Sequence, residues 1–119
     1  DKDAKKAKRW AAGLIGFYAT VKTYADFFEF HGMLDEQNEV IDKFKTGVSS
    51  DELGDVVSDE MVDALTLAGD TDEVIEKISR YEGFADSVKL SPPTHGLSNP
   101  TIRIAQNQII DMIPKLVNG

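Results

Sequence analysis

The chain has 119 residues, 41% of them hydrophobic and 29% charged, with a formal net charge of −8 and no cysteine. That length supports one domain or part of one, with enough apolar residues for a core. The missing thiols exclude disulfides, cysteine nucleophiles and Cys-ligated zinc or iron–sulfur centres, and the acidic balance disfavours a phosphate backbone as partner.

No apolar run approaches the roughly 18 to 20 residues of a bilayer span, and the N-terminus lacks the order of a secretory signal. The chain therefore reads as soluble and cytoplasmic, with neither a membrane nor a nucleic acid as partner. Charge is unevenly placed: Lys2, Lys5, Lys6, Lys8 and Arg9 crowd the first nine residues, and acids dominate the rest. These cations read as a solvated first helical turn. The chain opens at Asp1 and turns helical in pattern almost at once, which reads as entry in mid-element.

Trp10, Leu14, Phe17, Tyr18, Val21, Tyr24, Ala25 and Phe28 recur at spacings of three and four, which predicts one helix over about 4–30. Gly13 and Gly16 flank the stripe, each costing up to about 1 kcal/mol against alanine. They mark a place where another backbone comes close. His31-Gly32 supplies a stop, and Phe27 and Phe30 exceed what one helical face can bury, so they predict a partner surface. A second helix is expected from about Asp35 to Thr46, with Val40, Ile41 and Phe44 inward. Ser49-Ser-Asp-Glu52 has capping-box spacing and predicts a third, short helix. Ser58 starts a fourth, with Met61, Val62, Leu65 and Leu67, ending at Gly69. Asp70-Thr-Asp-Glu73 starts a fifth, with Val74, Ile75 and Ile78, ending at Gly83.

Asp86-Ser-Val-Lys-Leu90 predicts a short buried strand, followed by the turn-rich loop LSPPTHG over 90–96. Ser98-Asn99-Pro100 opens the last helix, whose inner face is Ile102, Ala105, Ile109, Ile113 and Leu116. Pro114 is expected to kink it or end it early. The fold class is mainly α: about six helices and one short strand in a single segment 1–119. It divides into a helical region 1–69 and a helix–strand–helix unit 70–119. A lone strand has no ladder for its backbone groups, and helix–strand–helix is one period of a parallel α/β fold. Its neighbours are therefore expected in another subunit or in a part of the chain not present.

LAGDTDEVIEKISRYEGFADSVKLSPPTHG, residues 67–96, resembles the penultimate helix and last strand of the bacterial-luciferase-like (β/α)8 barrels, which share an AG-T-x-x-E-V helix start and a last strand running into prolines. The resemblance extends back through GLIGFYATVKTYADFFEFHG and VSDEMVDAL, so it covers nearly the whole chain. Within that family it is most similar to the coenzyme F420-dependent methylenetetrahydromethanopterin reductases. It implies that the chain corresponds to the C-terminal third of a TIM barrel. LSPPTHG becomes the loop after strand eight, on the face where such barrels bind ligands. Ser91, Pro93, Thr94, His95 and Gly96 then lie close to substrate and cofactor, the prolines limiting the loop's freedom and Gly96 permitting a positive φ.

The full-length family uses coenzyme F420 and transfers hydride from its reduced form to a methylene-pterin, in the one-carbon metabolism of methanogenesis. Most of that pocket comes from earlier strands, so this segment alone is expected to bind no cofactor, to hold no catalytic residue and to be inactive. Its implied partners are the rest of the barrel or a second subunit, in a homo-oligomer. A flavin in place of F420 is a further possibility. An alternative from a different class is a non-catalytic helical interaction or dimerisation module.

His95 has two readings: a hydrogen-bond donor at the rim of the pterin or F420 site, or a structural cap of the loop or of the next helix. His31 reads as structural, favourable at a helix C-terminus when charged. The two histidines have no metal-site spacing, and no HExxH, EF-hand loop, G-x-S-x-G turn, GxGxxG or P-loop is present.

Overall fold

The computed structural model of the chain describes residues 1–118. Its helices are α1 (Ala4–Ala19), α2 (Ala25–Phe30), α3 (Leu34–Lys45), α4 (Asp59–Leu65), α5 (Thr71–Ser79) and α6 (Asn99–Asn118), with 3-10 turns at Lys22–Tyr24 and Leu53–Asp55.

Asp3 caps α1 by accepting from the Lys6 amide at 3.2 Å. The helix expected over 4–30 is in fact two. Thr20 donates its hydroxyl to the Phe17 carbonyl at 2.7 Å, and Val21 turns extended at φ −90°, ψ 109°. The break has a packing reason. It brings Phe28, 1% exposed, back onto a core of Ala11, Ala12, Ile15, Ala19, Val40, Leu53, Met61 and Val62. The small residues of α1 let α3, α4 and the Leu53 turn approach its axis closely. Gln37 is also buried there, donating to the Ala19 carbonyl at 3.2 Å, which satisfies one of the open acceptors at the end of α1.

The third expected helix shrinks to the 3-10 turn around the fully buried Leu53. Ser58 caps α4 as read, accepting from the Met61 amide at 3.2 Å, but α4 stops at Leu65 because Thr66 is extended. Both halves of the box at α5 form at 2.9 Å, Glu73 N–H to Asp70 Oδ1 and Asp70 N–H to Glu73 Oε2.

The expected strand Asp86–Leu90 does not form. Among the described residues no segment is a β-strand, and Asp86 to Leu97 takes part in no backbone–backbone hydrogen bond. Nor is the stretch buried: Asp86 to Lys89 are exposed, and Phe84 just before them is 91% exposed. Val88 and Leu90 carry strand propensity, but a strand is held by its ladder and the described residues supply no neighbouring strand. Pro114 likewise does not end α6, which continues to Asn118. The ring removes only the bond to the Ile110 carbonyl, near the helix end and at an exposed position.

α5 buries no residue and α6 buries only Ala105 and Met112. Between them opens a cleft of about 1260 Å³, lined chiefly by Ile75, Ile78, Tyr81, Val88, Ile110 and Ile113. No helix among the described residues is long and apolar enough to cross a membrane.

Candidate functional site

The loop after Leu90 comes to rest on α1. Gly13, in the middle of that helix, faces the His95 carbonyl so closely that a Cβ there would lie 2.7 Å from the oxygen. The Leu53–Asp55 turn completes the seat: a Cβ on Gly54 would stand 3.0 Å from the Gly13 nitrogen. Gly96 adopts φ +71°, and a Cβ there would meet the Asp51 carbonyl oxygen at 2.9 Å, so the position needs glycine for both conformation and space. Gly13 and Gly16 were read as points of close approach, and they are, Gly16 standing against Leu53.

The His95 ring stacks on Phe17 with centroids 3.9 Å apart at 22°, and its Nδ1 lies 3.3 Å from the Thr94 hydroxyl. His95 is half-buried and caps no helix; the cap of α6 is Ser98, whose hydroxyl oxygen accepts from the Thr101 amide at 3.4 Å. His31 stands far along the chain, edge-on to Phe27 and Phe30.

A small cavity of about 180 Å³ opens at the seat, lined by Arg9, Trp10, Asp51, Asp55, His95 and Gly96 among others. Of the loop residues singled out from sequence, His95 and Gly96 reach it. Ser91 and Thr94 are exposed and Pro93 is half-buried, all outside it. The sequence pattern does not mark Arg9, Trp10, Asp51 and Asp55 as site residues. Arg9 pairs with Asp55, and that pairing of two ordinary surface charges 46 positions apart leaves no sequence signal. Gly54 was the available clue, a second glycine in a turn facing the glycines of α1.

The cavity is below the roughly 300–1,000 Å³ of small-molecule pockets. That volume suits a few waters rather than a cofactor. Among the described residues no group of three or more His, Asp or Glu side chains is placed to hold a metal.

Beside the seat, Asp63 bridges two helices, accepting from Lys8 at 3.0 Å and from Lys77 at 3.4 Å. The hydrogen bond from Lys8 holds its carboxyl below the usual carboxylate range and, in return, raises the Lys8 ammonium. Lys77 also donates to the Ala68 carbonyl at 2.9 Å, tying α5 to the end of α4. α6 is fastened by Gln108, which donates to the Asp1 carboxylate at 2.9 Å.

Comparison with protein-family models, with curated proteins and with solved structures finds no match to this chain.

Proposed function

We propose that this chain is the C-terminal segment of a cytoplasmic, luciferase-like oxidoreductase of the F420-dependent methylenetetrahydromethanopterin reductase type. It is catalytically silent alone and completed by the rest of a (β/α)8 barrel. The supporting observation is the open cleft between α5, the segment 81–92 and α6. A last helix–strand–helix unit has this form when its neighbouring strands belong to another stretch of protein. Segment 86–90 would take its ladder partners from those strands, and Ser91 to Gly96 would then contribute one rim of the substrate and F420 site. The glycine seat supports that role by fixing the end of the loop against α1.

Two measurements test the reading. The pure 119-residue chain should neither oxidise reduced F420 with a methylene-pterin nor bind F420; turnover would overturn the segment hypothesis. An antibody to residues 90–96 should detect, in the source cells, a species roughly three times the 13.1 kDa of this chain, within the usual range for such barrels. A species of 13.1 kDa alone would overturn it in favour of a second reading. That second reading, a helical interaction module, is supported by residues 1–69 closing a core of their own. A concentration-independent dimer in light scattering would favour the module, and open-ended aggregation the incomplete barrel.

A further inference from the structure

From Ser79 to Lys89 every residue is exposed. Ser87 to Thr94 belong to no helix, turn or strand, and from Asp86 to Leu97 no backbone group bonds to another. Side chains do not hold the stretch either. Among the described residues none between Asp86 and Pro93 makes a hydrogen bond or an ion pair, the nearest bonded side chains being Arg80 and Thr94. The stretch is strung between two fixed points, the end of α5 and the seat of His95 and Gly96 on α1.

An endoprotease takes its substrate as an extended strand, so a bond inside a helix must first open locally. Exposed backbone that is already unbonded needs no opening. The basic side chains show how selective this is. Of the thirteen lysines and arginines, nine lie inside α-helices and Lys22 in a 3-10 turn. The Arg80–Tyr81 bond lies in the turn that closes α5, with the Tyr81 amide donating to the Ile78 carbonyl at 3.0 Å. Lys2 precedes the cap of α1, and a cut after it removes only the chain end. Lys89 alone stands within the unbonded stretch. Val88 and Leu90 line the α5–α6 cleft but Lys89 does not, which leaves its side chain free to enter a specificity pocket. The residue after it is Leu90 rather than a proline.

We propose that residues 86–91 form a site of limited endoproteolysis, with Lys89–Leu90 as the bond opened by an endoprotease that selects a basic residue. Water adds across that peptide bond. Its oxygen goes to the Lys89 carbonyl carbon, which becomes a carboxylate, and its two hydrogens go to the Leu90 nitrogen, which leaves as an ammonium. The products are residues 1–89, carrying α1 to α5, and residues 90–119, carrying α6. The first keeps every buried residue of the core cluster, the last of which is Val62. α6 contributes to the fold mainly through the burial of Ala105 and Met112 and the bond from Gln108 to Asp1. One hydrolysis thus divides the chain between its closed part and its last helix. The site belongs to the folded chain itself and holds for a barrel segment and an interaction module alike.

Trypsin at a low ratio to the native 119-residue chain tests it, with the fragments read by intact mass. The cut after Lys89 is expected at least about tenfold faster than at any other lysine or arginine between Lys5 and Arg103, because those bonds wait on local opening. In urea that unfolds the chain the preference should vanish. Thermolysin selects the apolar residue after the bond and should cut first before Val88 or Leu90. Lys89→Gln changes an exposed side chain and should keep the wild-type circular dichroism. It should abolish the tryptic cut and leave the thermolysin cut in place. A first cut by either protease elsewhere between Lys5 and Arg103, a Lys89 bond opened no faster than the helical ones, or a preference that survives in urea overturns the proposal.

Discussion

Residues 1–69 and 70–118 differ in closure far more than in helix signals. In the first part short helices cross around α1, and Phe28, Val40, Leu53 and Met61 are at most 1% exposed. In the second part α6 is the longest helix of the chain, yet Ile110, Ile113 and Val117 are 59%, 44% and 77% exposed. At about 100° per residue the apolar positions from Ala105 and Met112 round to Ile110 and Val117 cover an arc of roughly 160°. Only the Ala105–Met112 edge of that arc is buried. Caps and boxes suffice to make a helix; burial needs an opposing surface, and α5 and α6 have only a partial one.

The sharpest way to break this comparison is to remove one side chain from each part. Phe28→Ala should cost about 3–5 kcal/mol, whereas Ile110→Ala should stay within about 0.5 kcal/mol, both read from urea unfolding. A large loss at Ile110 would mean the cleft is closed in solution. Next in size is the seat that joins the two parts. Gly13→Ala meets a backbone oxygen, which cannot rotate away, and should cost about 1–3 kcal/mol despite its better helix propensity. It should also remove the ring-current shift that Phe17 imposes on the His95 protons.

Asp70→Ala removes the cap of α5 and should cost about 1 kcal/mol. Amide exchange should quicken in α5 and leave the protection of Ala11 to Ala19 unchanged; equal quickening in both would show that the two parts open together. The smallest effect is expected at the exposed bridge. The Asp63 pKa is lowered by Lys8, so its contribution is present above the ordinary carboxylate range and lost as pH falls through the lowered value. Asp63→Asn should therefore flatten the acid limb of the stability–pH curve and change little above it. An unchanged acid limb would show that the bridge carries no stability.

What could be read from sequence follows the same division. Ser58, Asp70 and Ser98 were legible as helix starts because a cap is made by residues three apart. Gly13 and Gly16 were legible as contact points because glycine is a poor choice in a helix interior without one. The end of α1 at Ala19 was not, since Val21, Tyr24 and Phe28 continue the apolar spacing; only the core that Phe28 enters decides the break. Segment 86–90 failed for the opposite reason. Its local pattern suits a strand, but hydrogen-bond partners are not a local property. In the seat, His95 and Gly96 were marked by their unusual loop, while the Arg9–Asp55 pair depends wholly on tertiary approach.

The seat also bears on the order in which the molecule assembles. It joins Gly13 to His95 across about eighty residues, and the entropy of closing so long a loop must be met before any contact forms. Asp86 to Leu97 brings no backbone hydrogen bonds to offset it. The contacts of α1 with the Leu53 turn and α4 span about half that separation. The expected sequence is an early nucleus around α1 and a late docking of His95 on Phe17. The Phe17–His95 stack should then be the last contact made on refolding and the first lost on warming, a reporter of the whole chain's completion carried by one pair of rings.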